Sequence, residues 1–291
     1  MGERLRIGFV GLGRMGAPIA LALLEGGFPL TVFGRDAMRL APILARGATR
    51  AASPAELAAA SDVVFLCVTD TEAVQQLALG PRGLAEGGRP GAIVVDHSTI
   101  HPTATRAIAR EIAARAAMHW LDAPVSGGPP AVARRALVVF VGGDAGILER
   151  VRPILSLYAG RITHMGPSGS GQTTKLLNQA LVGIGFAALA ETARLALACG
   201  IDASRLPEAL ADGRGDSRLL QEYFPRMVAG DRRLFGRIDI LLKDLDMVGS
   251  LAREAASPMP LAALASELHR LAVAVGLGAE DNAALVDLYR R

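Results

Sequence analysis

Residues 6–27, RIGFVGLGRMGAPIALALLEGG, decide the fold. An apolar run from Ile7 to Val10 reads as a strand ending at Gly11, and a helical pattern of small and apolar residues follows. Between them Gly11, Gly13 and Gly16 stand in G-x-G-x-x-G spacing. In such a unit the first glycine permits the tight turn and the second lets the backbone approach a pyrophosphate. The third lets the helix lie against the strand. The phosphates then meet unpaired N–H groups at the positive end of the helix. Glycine-rich turns also occur in ordinary α/β proteins. Placed at the first strand–helix junction, this one predicts a dinucleotide site formed by Gly11, Leu12, Gly13, Arg14, Met15 and Gly16.

Outward from that turn the alternation continues. PLTVF (29–33), DVVFLCV (62–68), AIVVD (92–96), MHWLDA (118–123) and ALVVFVGG (136–143) read as strands separated by helical patterns. The helix at SPAE (53–56) carries its own start signal: Ser53 as N-cap, Pro54 at the first helical position and Glu56 reaching back. Such alternation with short joins predicts an α/β, doubly wound, mostly parallel sheet of Rossmann-like type. After GPSGSG (166–171) only helical periodicity remains, over 172–199, 203–211, 217–229, 237–256, 260–275 and 280–290. The expected organisation is a nucleotide-binding domain over 1–164 and an all-α domain over 165–291.

Composition bounds the function. With 51% hydrophobic and 20% charged residues, the chain has the make-up of a packed globule, not of a disordered one. A net charge of +3 with scattered cations, and no basic run interleaved with aromatics, argues against a nucleic-acid partner. Cys67 and Cys199 sit in apolar runs without metal-ligand spacing and read as buried, reduced thiols. His101, His119, His164 and His269 have no cysteine or carboxylate at ligand spacing, so no metal is expected. The apolar run 176–190 includes Asn178 and Gln179 and is stopped by Glu191 and Arg194, which is short and polar for a membrane span. With no leader pattern at the first strand, a cytoplasmic location is the expectation.

The second strand ends TVFGRDAMR (31–39). A site for NAD usually has a carboxylate at this strand end, bonding the ribose hydroxyls. Here the place is taken by Gly34, and Arg35 follows. Loss of an anion and gain of a guanidinium favour NADP over NAD. Asp36 leaves the acidic alternative open if the turn is drawn differently.

Five stretches, in order, resemble one family: GLGRMGAPIA (11–20), DHSTIHP (96–102), DAPVSGG (122–128), GSGQTTKLLNQ (169–179) and LLKDLDM (241–247). The chain resembles the β-hydroxyacid dehydrogenases, typified by 3-hydroxyisobutyrate dehydrogenase, over essentially its whole length. The resemblance implies NAD(P)-dependent oxidation of small 3-hydroxy acids, or reduction of the matching semialdehydes. It also implies an active site in a cleft between the domains, and a homodimer or homotetramer.

Lys175 is isolated: the next formal charges are Arg161 before it and Glu191 after it. Oxidising an alcohol needs a group to take the hydroxyl proton, and the reverse reaction needs a donor. A lysine poor in water and charged neighbours would have its proton affinity lowered toward that task. The family's acid/base lysine corresponds to Lys175. Gln179, one helical turn on, stands where the family commonly has an asparagine on substrate, an arm longer by one methylene. Asn178 points some 100° away and is expected to be structural.

The resemblance assigns the substrate carboxylate to Ser126, Gly127 and Gly128, whose hydroxyl and backbone N–H groups suit a small anion. It assigns cofactor contacts to Thr99, to Val68, Thr69 and Asp70 at another strand end, and to Lys243 from the helical domain. His97 reads as a packed turn residue and Asp244 as a helix-holding one. The continuation SGGPPAVARRAL (126–137) departs from the family pattern at Ala131, Arg135 and Ala136. Arg134 and Arg135 could recognise a second anionic group or be solvated surface. Two other readings stand beside the dehydrogenase: an imine reductase-like enzyme, which typically lacks a lysine here, and a non-catalytic dinucleotide-binding scaffold. The 6-phosphogluconate dehydrogenases, with longer helical domains, are more distant.

Overall fold

A computed structural model describes residues 4–289. In chain order the first part contains β1 (Ile7–Val10), α1 (Gly16–Glu25), β2 (Leu30–Phe33), α2 (Ala37–Leu44), β3 (Thr49–Arg50) and α3 (Pro54–Ala59). Then come β4 (Val63–Leu66), α4 (Thr71–Leu79), α5 (Leu84–Gly87), β5 (Ile93–Asp96), α6 (Pro102–Ala116) and β6 (His119–Asp122). They are followed by β7 (Val125–Ser126), α7 (Gly128–Ala133), β8 (Leu137–Gly142), α8 (Ala145–Leu155) and β9 (Ala159–Gly166). The rest is helical: α9 (Ser170–Ala198), α10 (Leu206–Leu210), α11 (Arg218–Ala229), α12 (Ile238–Glu254) and α13 (Pro260–Ala274), with 3₁₀ segments Ala203–Arg205 and Asn282–Tyr289.

The strands form one nine-stranded sheet in the order β3-β2-β1-β4-β5-β6-β8-β7, with β9 beside β8. Pairing is parallel from β3 to β6, antiparallel where β8 meets β6 and β7, and parallel between β8 and β9. Alternate residues of the central strands point to opposite faces, and both faces are covered. Ile7, Phe9, Val63, Phe65, Ile93 and Val95 pack on one side with Ile19, Leu23, Leu148 and Tyr158. Val64, Leu66 and Val94 pack on the other with Leu57, Val74, Ile108 and Trp120. Burying each such side chain contributes about 1.5–3 kcal/mol. The sheet is therefore doubly wound.

The chain divides into two compact units, one up to Lys175 and one from Leu176 onward. The first turn of α9 is thus held by the sheet, through hydrogen bonds described below. The second unit has its own core of Phe186, Ala190, Phe224, Leu241, Leu285 and neighbours. A smaller cluster joins Leu176 and Ala180 to Val248 and Ala262. At 29 residues, with a window of mean hydropathy 1.6, α9 is long and apolar enough by length and composition to cross a membrane. However, 44% of that window is buried within the protein, where Ala187, Ala190, Ala193 and Ala196 admit neighbouring helices closely, so α9 reads as a core helix.

Both thiols were expected to be buried, and neither is fully so: Cys67 is half-buried. Cys199 is exposed beyond the end of α9. Burial and the Asp96 carboxylate push the Cys67 thiol up to about 12.

Candidate active site

The glycine turn divides into two kinds of glycine. Gly11 has φ +96°, and a Cβ there would run into the Cys67 carbonyl. At Gly16 a Cβ would collide with the Gly11 carbonyl and the Phe9 ring. Their bareness is required by the protein's own packing. Gly13 is different. A Cβ there would find only the Arg39 Nη1, at 3.9 Å, and its φ is ordinary. Nothing in the fold demands a glycine at this position, and its bare backbone leaves room for a group approaching from outside.

The helix that follows fits the same reading. Helices α2, α3, α4, α6 and α8 each begin under a side-chain cap: Asp36, Ser53, Asp70, His101 and Asp144. Helix α1 begins at Met15 with no side-chain cap and no acidic residue in its first turn. The Ala17 N–H donates to the Gly13 carbonyl at 2.9 Å and Pro18 has no N–H. What this end of α1 offers an anion is therefore its dipole and the N–H groups of the turn before it. A dinucleotide pyrophosphate fits both features.

At the end of β2, Gly34 is not enforced by packing, since a Cβ would meet only the Leu40 side chain at 3.6 Å. Arg35 is exposed. Asp36 accepts from the Met38 N–H at 2.9 Å and pairs with Arg39 Nε at 3.1 Å. Its carboxylate caps α2 and pairs with Arg39, while its side chain stays half exposed. Arg39, which the sequence reading did not single out, reaches back toward Gly13. Its signal was its place one turn beyond the Asp36 cap.

The next two strand ends are stitched together. Ser98 Oγ accepts from the Val68 N–H at 3.0 Å, while the Ser98 N–H donates to Asp96 Oδ1 at 2.9 Å. Thr69 is exposed, and Asp70 caps α4 through the Ala73 N–H at 2.8 Å, so its carboxylate serves the helix. Thr99 is half-buried between Ser98 and Ile100. Gln172 bonds both of those neighbours: its Nε2 donates to the Ser98 carbonyl at 2.8 Å, and its Oε1 accepts from the Ile100 N–H at 3.1 Å. Neither Gln172 nor its partner Asp122 had been assigned a role, although both lie inside the quoted stretches.

Asp122 ends β6 and is fully buried. Its oxygens accept from the Gly169 N–H at 2.8 Å and the Gln172 N–H at 3.0 Å, capping α9 from outside the helix. Burial pushes its carboxyl above the usual range, against backbone N–H groups that favour the ionised form. A Cβ on Gly171 would come within 2.5 Å of the Asp122 and Phe140 carbonyls, so only glycine lets the helix start here. Lys175 follows in the second turn and is only 7% exposed.

Ser126 is half-buried on β7, which pairs with β8. Gly127 and Gly128 have φ of +124° and +68° and open α7, leaving backbone N–H groups at its start. Arg134 caps the other end of that helix and Arg135 follows with φ +51°, both exposed. The two arginines are thus at the far end of α7 from Ser126, as solvated surface would be. Ala131 is buried, and packs under Gly127 so closely that a Cβ there would come within 2.9 Å.

In the second unit, Gln179 Nε2 donates to Asp244 Oδ2 at 2.5 Å and its Oε1 accepts from Asn178 at 3.0 Å. Asp244, only 3% exposed, also pairs with Lys243 at 3.0 Å. Asp244 therefore ties α12 to α9. His97 is buried between the Ala123 carbonyl at 2.6 Å and the Tyr158 hydroxyl at 2.8 Å, and burial lowers its pKa to about 4. It is a packing residue. Among the described residues no group of three or more His, Cys, Asp or Glu is arranged for a metal.

One signal in the composition escapes a motif search. The chain has 29 arginines and two lysines, and the two lysines are Lys175 and Lys243. Arginine does not give up its proton in proteins, whereas a lysine can.

Two family models cover nearly the whole chain. Residues 6–166 match the NAD binding domain of 6-phosphogluconate dehydrogenase, and residues 169–289 match the NAD-binding domain of NADP-dependent 3-hydroxyisobutyrate dehydrogenase. The 2-(hydroxymethyl)glutarate dehydrogenase of Eubacterium barkeri is 30% identical, over 100% of this chain and 97% of its own. The 2-hydroxy-3-oxopropionate reductase of Escherichia coli K12 is 34% identical, over 97% of this chain and 96% of its own. The crystal structure of a 3-hydroxyisobutyrate dehydrogenase from Salmonella typhimurium superposes with a TM-score of 0.88 at 31% identity, covering 98% of this chain and 100% of that one. With the glycine turn at its first strand–helix junction, and with these likenesses over its full length, the chain belongs to the β-hydroxyacid dehydrogenase family, NAD(P)-dependent oxidoreductases of small hydroxy acids.

Proposed function

We propose that the protein is an NADP-preferring dehydrogenase, or semialdehyde reductase, in which Lys175 handles the proton. The observation that carries this reading is a lysine, 7% exposed, in the second turn of α9, in a chain whose cations are otherwise arginine at all positions but one. A buried cation of the type able to titrate suits acid–base work. Bound nicotinamide supplies the capacity to take or give a hydride. The chain's own residues do the rest. Lys175 Nζ takes the hydroxyl proton during oxidation and returns it to the carbonyl oxygen during reduction. Ser126 Oγ and the N–H groups of Gly127 and Gly128 bind the carboxylate and so orient the reacting carbon. Gly11, Leu12, Gly13, Arg14, Met15 and Gly16 hold the pyrophosphate at the start of α1. Val68, Thr69, Asp70 and Thr99 line the cofactor from the strand ends, and the family likeness extends a substrate contact to Gln179 and a cofactor contact to Lys243.

The preference for NADP rests on Gly34, Arg35 and Arg39. Two guanidinium groups stand near the end of β2, and the nearest carboxylate is committed to capping α2. Such a setting favours a 2′-phosphate over bare ribose hydroxyls. We further infer a homodimer or homotetramer. Leu177, Leu181 and Leu195 on α9 are exposed, as are Leu261, Leu264 and Leu271 on α13. Apolar rows of this kind suit a second copy of the chain.

A panel of small hydroxy acids and aldehyde acids, assayed in parallel with NADP(H) and NAD(H), tests the reading. The expected outcome is activity with NADPH at lower KM than with NADH, and loss of that difference in Arg35→Ala. Lys175→Ala should lower turnover by about 10²–10⁴-fold while NADPH binding stays near that of the parent. Substantial turnover in Lys175→Ala would refute the proton role.

A further inference from the structure

One buried side chain joins the cofactor-lining strand ends to the helix that carries Lys175. Gln172 is 0% exposed and uses both ends of its amide, one on each side of Thr99. Its own backbone N–H is fixed on Asp122 at 3.0 Å, beside the Gly169 N–H at 2.8 Å. Ser98, which Gln172 bonds through its carbonyl, in turn accepts from Val68 through its hydroxyl. A continuous line of hydrogen bonds thus runs along the C-terminal edge of the sheet. It passes from the end of β4, over the loop after β5, to the end of β6 and the start of α9. We propose that Gln172 is a positioning residue: by clamping the Ser98–Ile100 loop to the first turn of α9, it fixes Lys175 relative to Thr99. The inference rests on the proton role proposed for Lys175.

The geometry favours placement over simple packing. An amide bonded to a carbonyl and an N–H on either side of one residue acts as a short piece of β-ladder, with a single register. A hydrophobe of like length would fill the space but would leave the Ser98 carbonyl and the Ile100 N–H without this partner. Lys175 lies three residues on from Gln172, a rise of about 4.5 Å along the helix. Rotation or sliding of that turn would have to break buried hydrogen bonds to both the loop and Asp122. Chemistry of this kind tolerates little slack, because a misplacement of about 1 Å can cost on the order of 10²-fold in rate. The phosphate cradle at Gly11–Gly16 is a separate part of the unit, so most of the cofactor's affinity should survive removal of the clamp even though the Thr99 loop loosens.

The test uses the full chain and two variants, Gln172→Met, which keeps the length and loses the amide, and Gln172→Glu, which keeps an acceptor for Ile100. Three properties are measured: exchange of the Ile100 amide hydrogen without cofactor, NADPH binding by nicotinamide fluorescence, and kcat, KM and the isotope effect with NADPH deuterated at the transferred position. For Gln172→Met we expect faster Ile100 exchange and NADPH affinity within about 3-fold of the parent. Per active site, kcat should fall by about 10–100-fold at little-changed KM, with a larger isotope effect. Gln172→Glu should lie between the two, with a measurable loss in kcat and a raised isotope effect. A merely structural glutamine would lower thermal stability and the active fraction, and leave the isotope effect alone. If folded Gln172→Met keeps the parental kcat, isotope effect and Ile100 exchange, the inference is overturned. If that variant does not fold, parental values in Gln172→Glu overturn it equally. Lys175→Ala run in parallel separates the two levels. An inactive Lys175→Ala with unaltered Gln172 variants defeats the clamp alone, whereas an active Lys175→Ala defeats the proton role and the clamp with it.

Discussion

Gly13 and Gly16 look alike in a motif and differ in physics. Gly16→Ala forces a methyl group into the Gly11 carbonyl and the Phe9 ring, so destabilisation by about 1–3 kcal/mol is expected from overpacking. Gly13→Ala meets only the tip of Arg39 and should leave the melting temperature within a degree or two of the parent. It should instead weaken NADPH binding by about tenfold or more, since the methyl occupies the approach to the cradle. Thermal denaturation and NADPH titration of both variants check this; equal losses of stability would show that both glycines serve packing alone. The strand–turn–helix around the glycine motif and the burial of Lys175 were legible in the sequence because spacing and isolation survive in one dimension. Gln172 and Asp122 were not, because their partners lie tens of residues away and only the folded sheet edge brings them together.

The long helix α9 serves two ends. Its first turn is fixed to the sheet by Asp122 and Gln172, while later turns pack in the helical core and carry exposed leucines along one side. Leu181, 74% exposed, lies in the middle of that row. Leu181→Glu should shift a dimer or tetramer toward smaller species in analytical ultracentrifugation, with the far-ultraviolet signal of the helices kept. An unchanged mass would place the subunit contact elsewhere. At this scale the long periodic elements were readable, from the strands β1, β4 and β5 to the helices α6, α9 and α12. Short ones escaped. The two-residue strands β3 and β7 are too brief to show alternation, and α7 opens Gly-Pro-Pro and ends after six residues. Strand β9, AGRITHMG, carries few buried residues and no apolar alternation, and it is defined by pairing to β8.

Across the molecule, the doubly wound order and the helical remainder followed from the alternation and its end, since burial on both sheet faces writes itself as continuous apolar runs. What the runs could not show is how the interior responds to acid. His97 has its pKa lowered to about 4 by burial, below its ordinary 6.5. A depressed value means that the unfolded chain binds the proton more readily, so the stabilisation is whole above pH 6.5 and is lost as the pH falls toward 4. Urea unfolding of the first unit should lose about 2 kcal/mol between pH 7 and pH 5 through this group, and His97→Gln should flatten that part of the curve. An identical slope in the variant would assign the acid sensitivity to other groups. The rarity of lysine has a practical result of another kind. Apart from the α-amino group, an amine-directed label, cross-linker or immobilising resin finds only two attachment points, one of them hidden. A lysine-specific protease would cut the denatured polypeptide into three pieces, whose junctions report directly on the chemistry of those two amines.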